Sequence, residues 1–179
     1  AVALGDQRLL QVAADAVEQL ELIFLPTDVI ALGIVGGGGD DRLVVAGDGP
    51  ANGDWLIGVA DAHDPEIEVV QLALGDGGVA TSGTFRRAWT AGDGTPVHHL
   101  LDPATGRPTA GRAESLAVVQ STVVAGSGMW AEVFTKSVMV GGTAALARLD
   151  ELGLGARAVL ADGSVECNAR WATYQRAAE

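Results

Sequence analysis

Two neighbouring imidazoles and a carboxylate followed by a proline make the most chemically specific stretch of the chain, Val97-His98-His99-Leu100-Leu101-Asp102-Pro103. Histidine titrates near neutral pH, so with a carboxylate close by it takes a proton from a hydroxyl or orients a phosphate or metal. Adjacent residues of an extended segment face opposite sides, so one of the two histidines is expected to be an ordinary core or surface residue. His63 has no partner pattern and reads as surface loop. Thr81-Ser82-Gly83 puts two hydroxyls beside a glycine, and its plain reading is a turn capped by its own side chains. Gly36-Gly37-Gly38-Gly39-Asp40 follows an apolar run and offers backbone N–H groups that a phosphate can approach. Neither G-x-G-x-x-G nor a Walker lysine accompanies it, and a flexible turn is the plainer reading. Glu132 and Lys136 stand four apart. At the least they form an i,i+4 ion pair; near a helix start they form a polar site where the macrodipole favours a bound anion.

These residues need elements to hold them. Leu9, Val12, Ala13, Ala16, Val17 and Leu20 predict an amphipathic helix over 9–22, limited by Pro26. The apolar run 29–35 predicts a buried strand, with further strands at 42–46 and 55–60. Residues 66–74 predict a strand through their β-branched content, ended by the turn marker Gly75-Asp76-Gly77-Gly78. A glycine-containing loop over 81–95, a short extended piece over 97–101 and a turn over 102–108 come next. Residues 115–124 predict a strand, and 129–151 predict the longest helix, interrupted or kinked at Gly141 and Gly142. Residues 156–161 predict the last apolar strand, with a hairpin signal at Asp162-Gly163. Runs of strands with helices set apart predict an α+β fold, a mixed or antiparallel sheet flanked by helices, in a single domain over 1–179.

Composition narrows the partners. With 11 Lys+Arg against 23 Asp+Glu the net charge is −12, which argues against a nucleic-acid-binding face and against a polybasic membrane anchor. No apolar run approaches a membrane span. The one cysteine, Cys167, excludes an internal disulfide framework and a cysteine-rich zinc site. No signal-peptide pattern follows Ala1, which leaves the cytoplasm or a processed cell-envelope protein as expectations. Glycine is in excess, 25 in 179, so many backbone positions can approach a ligand closely.

Taken in order, these segments resemble the flavin transferase family (ApbE-like, FAD:protein FMN transferase). His99-Leu100-Leu101-Asp102-Pro103-Ala104-Thr105-Gly106-Arg107-Pro108 is similar to its H-I-x-D-P-x-T-G-x-P signature. Val79-Ala80-Thr81-Ser82-Gly83-Thr84-Phe85-Arg86-Arg87 resembles its A-T-S-G-x-Y-x-R segment, and Gly38-Gly39-Asp40 followed by Trp55–Ala60 resembles its G-G-D and W-x-V-G-I stretches. Ser115-Leu116-Ala117-Val118-Val119 and then Ala131-Glu132 resemble the S-V-T-V strand and the A-D-x-x-x-T helix start. Order and spacing agree over about 30–165, the C-terminal part of the family.

The resemblance implies FAD as substrate, a divalent metal such as magnesium, and transfer of FMN onto a threonine hydroxyl of an acceptor protein, or hydrolysis of FAD to FMN and AMP. On the matched positions it implies His99 and Asp102 as catalytic residues. It implies Gly38, Gly39, Asp40, Thr81, Ser82, Gly83, Thr105, Gly106 and Lys136 as cofactor-binding residues, and Glu132 with Thr135 as metal ligands. Two positions depart from the pattern. Leu9 stands where the D-L-G-G-x-x-K-G segment has lysine, and Lys136 stands where the metal site has threonine or serine. A protonated lysine has no lone pair for a hard cation, so it would supply positive charge in the metal's place. The alternative expectation is a non-catalytic flavin- or nucleotide-binding homologue, or a structural one, that has lost the metal site; self-association is a further expectation.

Overall fold

The computed structural model describes residues 41–45, 54–85, 87–109 and 117–176. The expected helix over 9–22, the strand over 29–35, the Gly36–Asp40 loop and Arg86 lie outside the described residues. Nine strands run in the order β1 (Asp41–Val45), β2 (Trp55–Ala60), β3 (Glu68–Leu74), β4 (Gly77–Gly83), β5 (Ala88–Thr90), β6 (Pro96–His98), β7 (Val118–Ala125), β8 (Gly155–Leu160) and β9 (Val165–Cys167). Helices α1 (Gly128–Gly141) and α2 (Ala144–Glu151) lie between β7 and β8, and a 3-10 helix, Ala169–Thr173, follows β9. The fold is α+β, as the element order predicts.

Every described strand pair is antiparallel. The main sheet has five strands in the order β1-β4-β7-β8-β9; β2 pairs with β3, and β5 with β6. The central strand β7 is buried along its whole length, because both faces are covered. On one face Val118 and Val123 pack with Val138 and Met139 of α1 and with Leu146 and Leu149 of α2. On the other, Val79 and Val124 pack with Ile57, Val59, Leu72 and Leu74 of the β2–β3 ribbon and with Trp171. A cluster this apolar on both sides holds β4 and β7 rigidly, the base on which the polar residues are mounted.

The structure corrects two expectations. Gly75–Gly78 is not one turn: Gly77 and Gly78 already belong to β4. A Cβ on Gly77 would lie 2.6 Å from the Ala125 carbonyl oxygen, and one on Gly78 would lie 2.2 Å from the Gly128 nitrogen. The glycines are there for close approach, which local sequence does not reveal. Thr81-Ser82-Gly83 is likewise the end of β4 and not a turn or loop. Its register against Thr122, Ser121 and Gln120 of β7 overrides the local turn preference of hydroxyl residues. The helix expected over 129–151 is interrupted at Gly141 and Gly142, as expected, and the interruption is a full break into two helices. Gly142, at φ 70°, closes α1 by donating its N–H to the Val138 carbonyl, and α2 restarts after Thr143.

Helix α1 begins under the Ser127 side chain, which accepts from the Trp130 N–H at 3.3 Å. Its buried residues Gly128, Ala131, Thr135, Val138 and Met139 recur at helical spacing and face the sheet. They meet the small residues of β4: Ala80 packs with Ala125 and Ala131. Since the atoms facing a Cβ at Gly78 are helix backbone at 2.2 and 2.4 Å, α1 would have to move away. Gly78→Ala is expected to lower stability by about 1–3 kcal/mol, as overpacking does, seen as a lower urea midpoint; an unchanged midpoint would refute the close packing.

Candidate functional site

Strand alternation divides Thr81 from Ser82. Thr81 turns to the β2–β3 side, where its Oγ1 lies 2.9 Å from Thr122 Oγ1. Ser82 turns to α1 and is buried. There it meets two residues of the helix, Thr135 and Lys136. Lys136 Nζ donates to Ser82 Oγ at 2.7 Å, Ser82 Oγ lies 2.7 Å from Thr135 Oγ1, and Thr135 Oγ1 donates to the Glu132 carbonyl at 2.7 Å. Each hydroxyl has one proton. Thr135 spends its proton on Glu132, so Ser82 must donate to Thr135, and the hydrogen bonds run in one direction from ammonium to carbonyl. Lys136 also donates to Glu132 Oε1, closing the i,i+4 ion pair.

The pair is oriented. The Glu132 side chain is 14% exposed and that of Lys136 36%, so the carboxylate lies toward the sheet and the ammonium toward the outside. Glu132 Oε2 is buried without a hydrogen-bond partner, and so is Ser121 Oγ. Ser121 is the direct partner of Ser82 across β4 and β7 and therefore shares its face. Sequence reasoning missed Ser121: the strand was legible, but only the register sets this serine beside Ser82.

His98 and His99 are both half-buried and differ in their hydrogen bonding. His98 ends β6, and its Nδ1 accepts from the Leu100 N–H at 3.3 Å. Burial, and then the neighbouring His99, holds its pKa below the ordinary histidine range. His99 receives its place from its backbone, whose N–H donates to the Arg87 carbonyl, while its Nδ1 is buried without a hydrogen-bond partner. Leu100 then drops into the core that holds Val138 and Met139 of α1.

Asp102 organises the loop that follows. Its Oδ1 accepts from the Ala104 N–H at 2.8 Å, its carbonyl accepts from the Thr105 and Gly106 N–H groups, and its own N–H donates to the Arg107 carbonyl. Thr105 Oγ1 accepts from the Arg107 N–H at 3.3 Å, and Gly106 takes φ 65°. Leu101 bridges Pro108, so the loop closes on itself as an exposed, tightly turned tip.

The structure therefore joins Ser82, Thr135, Lys136 and Glu132 in one network and shapes His99 to Arg107 as a second unit tied to the same core through Leu100. Thr81 faces away from the network, Gly83 ends β4 beside it, and Gly38, Gly39 and Asp40 lie outside the described residues. No cluster of three or more His, Cys, Asp or Glu side chains that could hold a metal ion occurs among the described residues. Glu132 and Thr135 are close together, yet Lys136 donates into the same oxygen set. As arranged, that set does not fit a divalent ion, because an ammonium already holds Ser82 and Glu132.

The model of the ApbE family matches residues 13–160, which takes in every element from β1 to β8. The chain belongs to the ApbE family. An FAD:protein FMN transferase of Klebsiella pneumoniae (strain 342) is 29% identical over 101 residues, covering 56% of this chain and 31% of that protein. The ApbE protein of Thermotoga maritima matches with a TM-score of 0.64 at 28% identity, over 78% of this chain and 43% of that one. The flavinyl transferase ApbE of Pseudomonas stutzeri, in its apo form, matches with a TM-score of 0.58 at 25% identity, over 82% and 43%. The chain thus spans less than half the length of these ApbE relatives.

Two measurements check this geometry. Ser82→Ala removes the acceptor of Lys136 and the donor to Thr135, and is expected to cost about 1–3 kcal/mol in chemical denaturation, the range for breaking a buried polar network; wild-type stability would show that the network is slack. For His98, the unfolded chain binds the proton at higher pH than the folded one. Its contribution is fully present above the ordinary 6.5 and is lost as pH falls toward the lower folded-state value. An NMR titration should place the His98 midpoint below 6.5, with stability falling on acidification through that window; a midpoint above 6.5 would contradict it.

Proposed function

We propose that this chain works as a flavin transferase that moves FMN from FAD onto a threonine hydroxyl of an acceptor protein, releasing AMP. The observation that carries the reading is that the family match spans both units of the site, the Ser82–Lys136 network and the turned loop from His99 to Arg107. FAD hydrolysis to FMN and AMP is the same step with water as acceptor. In either case the acceptor oxygen forms a bond to the phosphorus that carries riboflavin. The bond from that phosphorus to the oxygen bridging to AMP breaks, and AMP leaves with the electron pair. The acceptor proton goes to the His99 imidazole, which returns it to the leaving group or to water.

In this reading the other residues position the ligand. Asp102, Thr105 and Gly106 hold the loop in a single turned form beside the flavin phosphates, so its backbone can meet them without further ordering. Ser82 and Thr135 fix Lys136, and Glu132 sets its direction. The reading gives Gly38, Gly39 and Asp40 to the cofactor on their likeness to the family's G-G-D motif. A phosphoryl transfer of this kind depends on positioning and charge neutralisation more than on covalent help from the protein.

The test is incubation with FAD and separation of the products, in parallel with flavin binding. FMN and AMP are expected from the wild type. His99→Ala should lose at least about a hundredfold in turnover, the lower end for a general base, while FAD still binds. Unimpaired turnover in that variant would remove His99 from the reaction. Tight FAD binding with no product from the wild type would select the non-catalytic flavin-binding alternative.

A further inference from the structure

The oxygen set around Lys136 is the kind a hard cation takes: a carboxylate, two hydroxyls and a backbone carbonyl, with no nitrogen or sulfur among them. The positive group seated in it is an ammonium. Three features show that the ammonium is built in and not a loose surface lysine. Lys136 reaches both β4, through Ser82, and its own helix, through Glu132. Hydroxyl protons are all directed away from it, so that Ser82 can accept while Thr135 and the Glu132 carbonyl take up the remaining donors. And the more buried Glu132 leaves the ammonium as the outward end of the pair. A divalent ion entering here would have to displace the ammonium from both oxygens and then bear its repulsion at close range.

We propose that Lys136 stands in for a divalent cation: its ammonium neutralises the diphosphate of bound FAD, and FAD binds without added metal. This rests on the flavin transferase reading for the identity of the ligand. A fixed monovalent charge in a partly desolvated position suits a diphosphate, because charge-assisted hydrogen bonds to phosphate oxygens are stronger than neutral ones. It also needs no metal-loading step, since the cation is part of the helix.

The experiment is FAD binding to the purified chain, read by quenching of flavin fluorescence, after EDTA treatment and then with excess Mg2+. The wild-type affinities in the two conditions should agree within about twofold, while Lys136→Met should lose about tenfold or more in both. Mg2+ alone should leave the wild-type melting temperature unchanged. Tightening of wild-type binding by about tenfold on adding Mg2+, a thermal shift with Mg2+ alone, or wild-type affinity in Lys136→Met would each overturn the proposal while leaving FAD as the ligand. No FAD binding in either condition would overturn both the proposal and the function it rests on. Were Lys136→Met to unfold, the comparison of EDTA with Mg2+ on the wild type would still decide.

Discussion

The close approach of helix α1 to strand β4 is the constraint on which the site depends. Gly78, Ala80 and Ser82 alternate along the face of β4 that meets the helix, and none carries a side chain larger than a hydroxymethyl group. Opposite them the helix presents Gly128, Ala131 and Thr135. Small residues on both sides let the backbones come near enough for one hydroxyl to reach another. With a larger residue at Gly78 the first turn of α1 would be levered outward. The Ser82–Thr135 contact, about two turns further on, would then be the first polar link to open.

That proximity turns three ordinary side chains into a directed chain of donors. Isolated on a helix surface, Glu132 and Lys136 would be an i,i+4 pair of small energetic value. Ser82 changes this by giving the ammonium a second fixed partner on another element. The carboxylate keeps one oxygen in the pair and has its other oxygen buried without a partner, an arrangement that costs stability. Ser121 Oγ, beside Ser82, is a second buried polar atom of this kind.

What the sequence discloses depends on whether the signal is local. The strand Trp55–Ala60 is legible because it is a short apolar run that holds the β-branched Ile57 and Val59. The hairpin at Asp162-Gly163 and the break after Gly141 follow from turn chemistry and glycine alone. Thr81-Ser82-Gly83 misleads because its composition favours turns, whereas pairing with Gln120–Thr122 makes it strand. The same holds for Gly77 and Gly78, whose reason is the Ala125 carbonyl and the Gly128 backbone, neither of them near in sequence. The chemistry-bearing residues could be named from motifs, but the division of Thr81 from Ser82 and the presence of Ser121 required the register.

The two units of the site share one anchor, and this bears on how an acidic chain would meet the anionic ligand proposed for it. A net charge of −12 opposes the approach of a diphosphate at long range. Salt screens such repulsion beyond about 8 Å, so the balance is decided by charges and N–H groups in direct contact. Contact requires both units to be held in fixed relation to the core. Leu100 enters the same apolar cluster as Val138 and Met139, which directly follow the turn of α1 that carries Lys136. A shift of α1 would therefore disturb Lys136 and the His99 loop together. A site whose positive charge sits on a helix side chain depends on that helix staying in place, and the small-residue face of β4 is what α1 packs against.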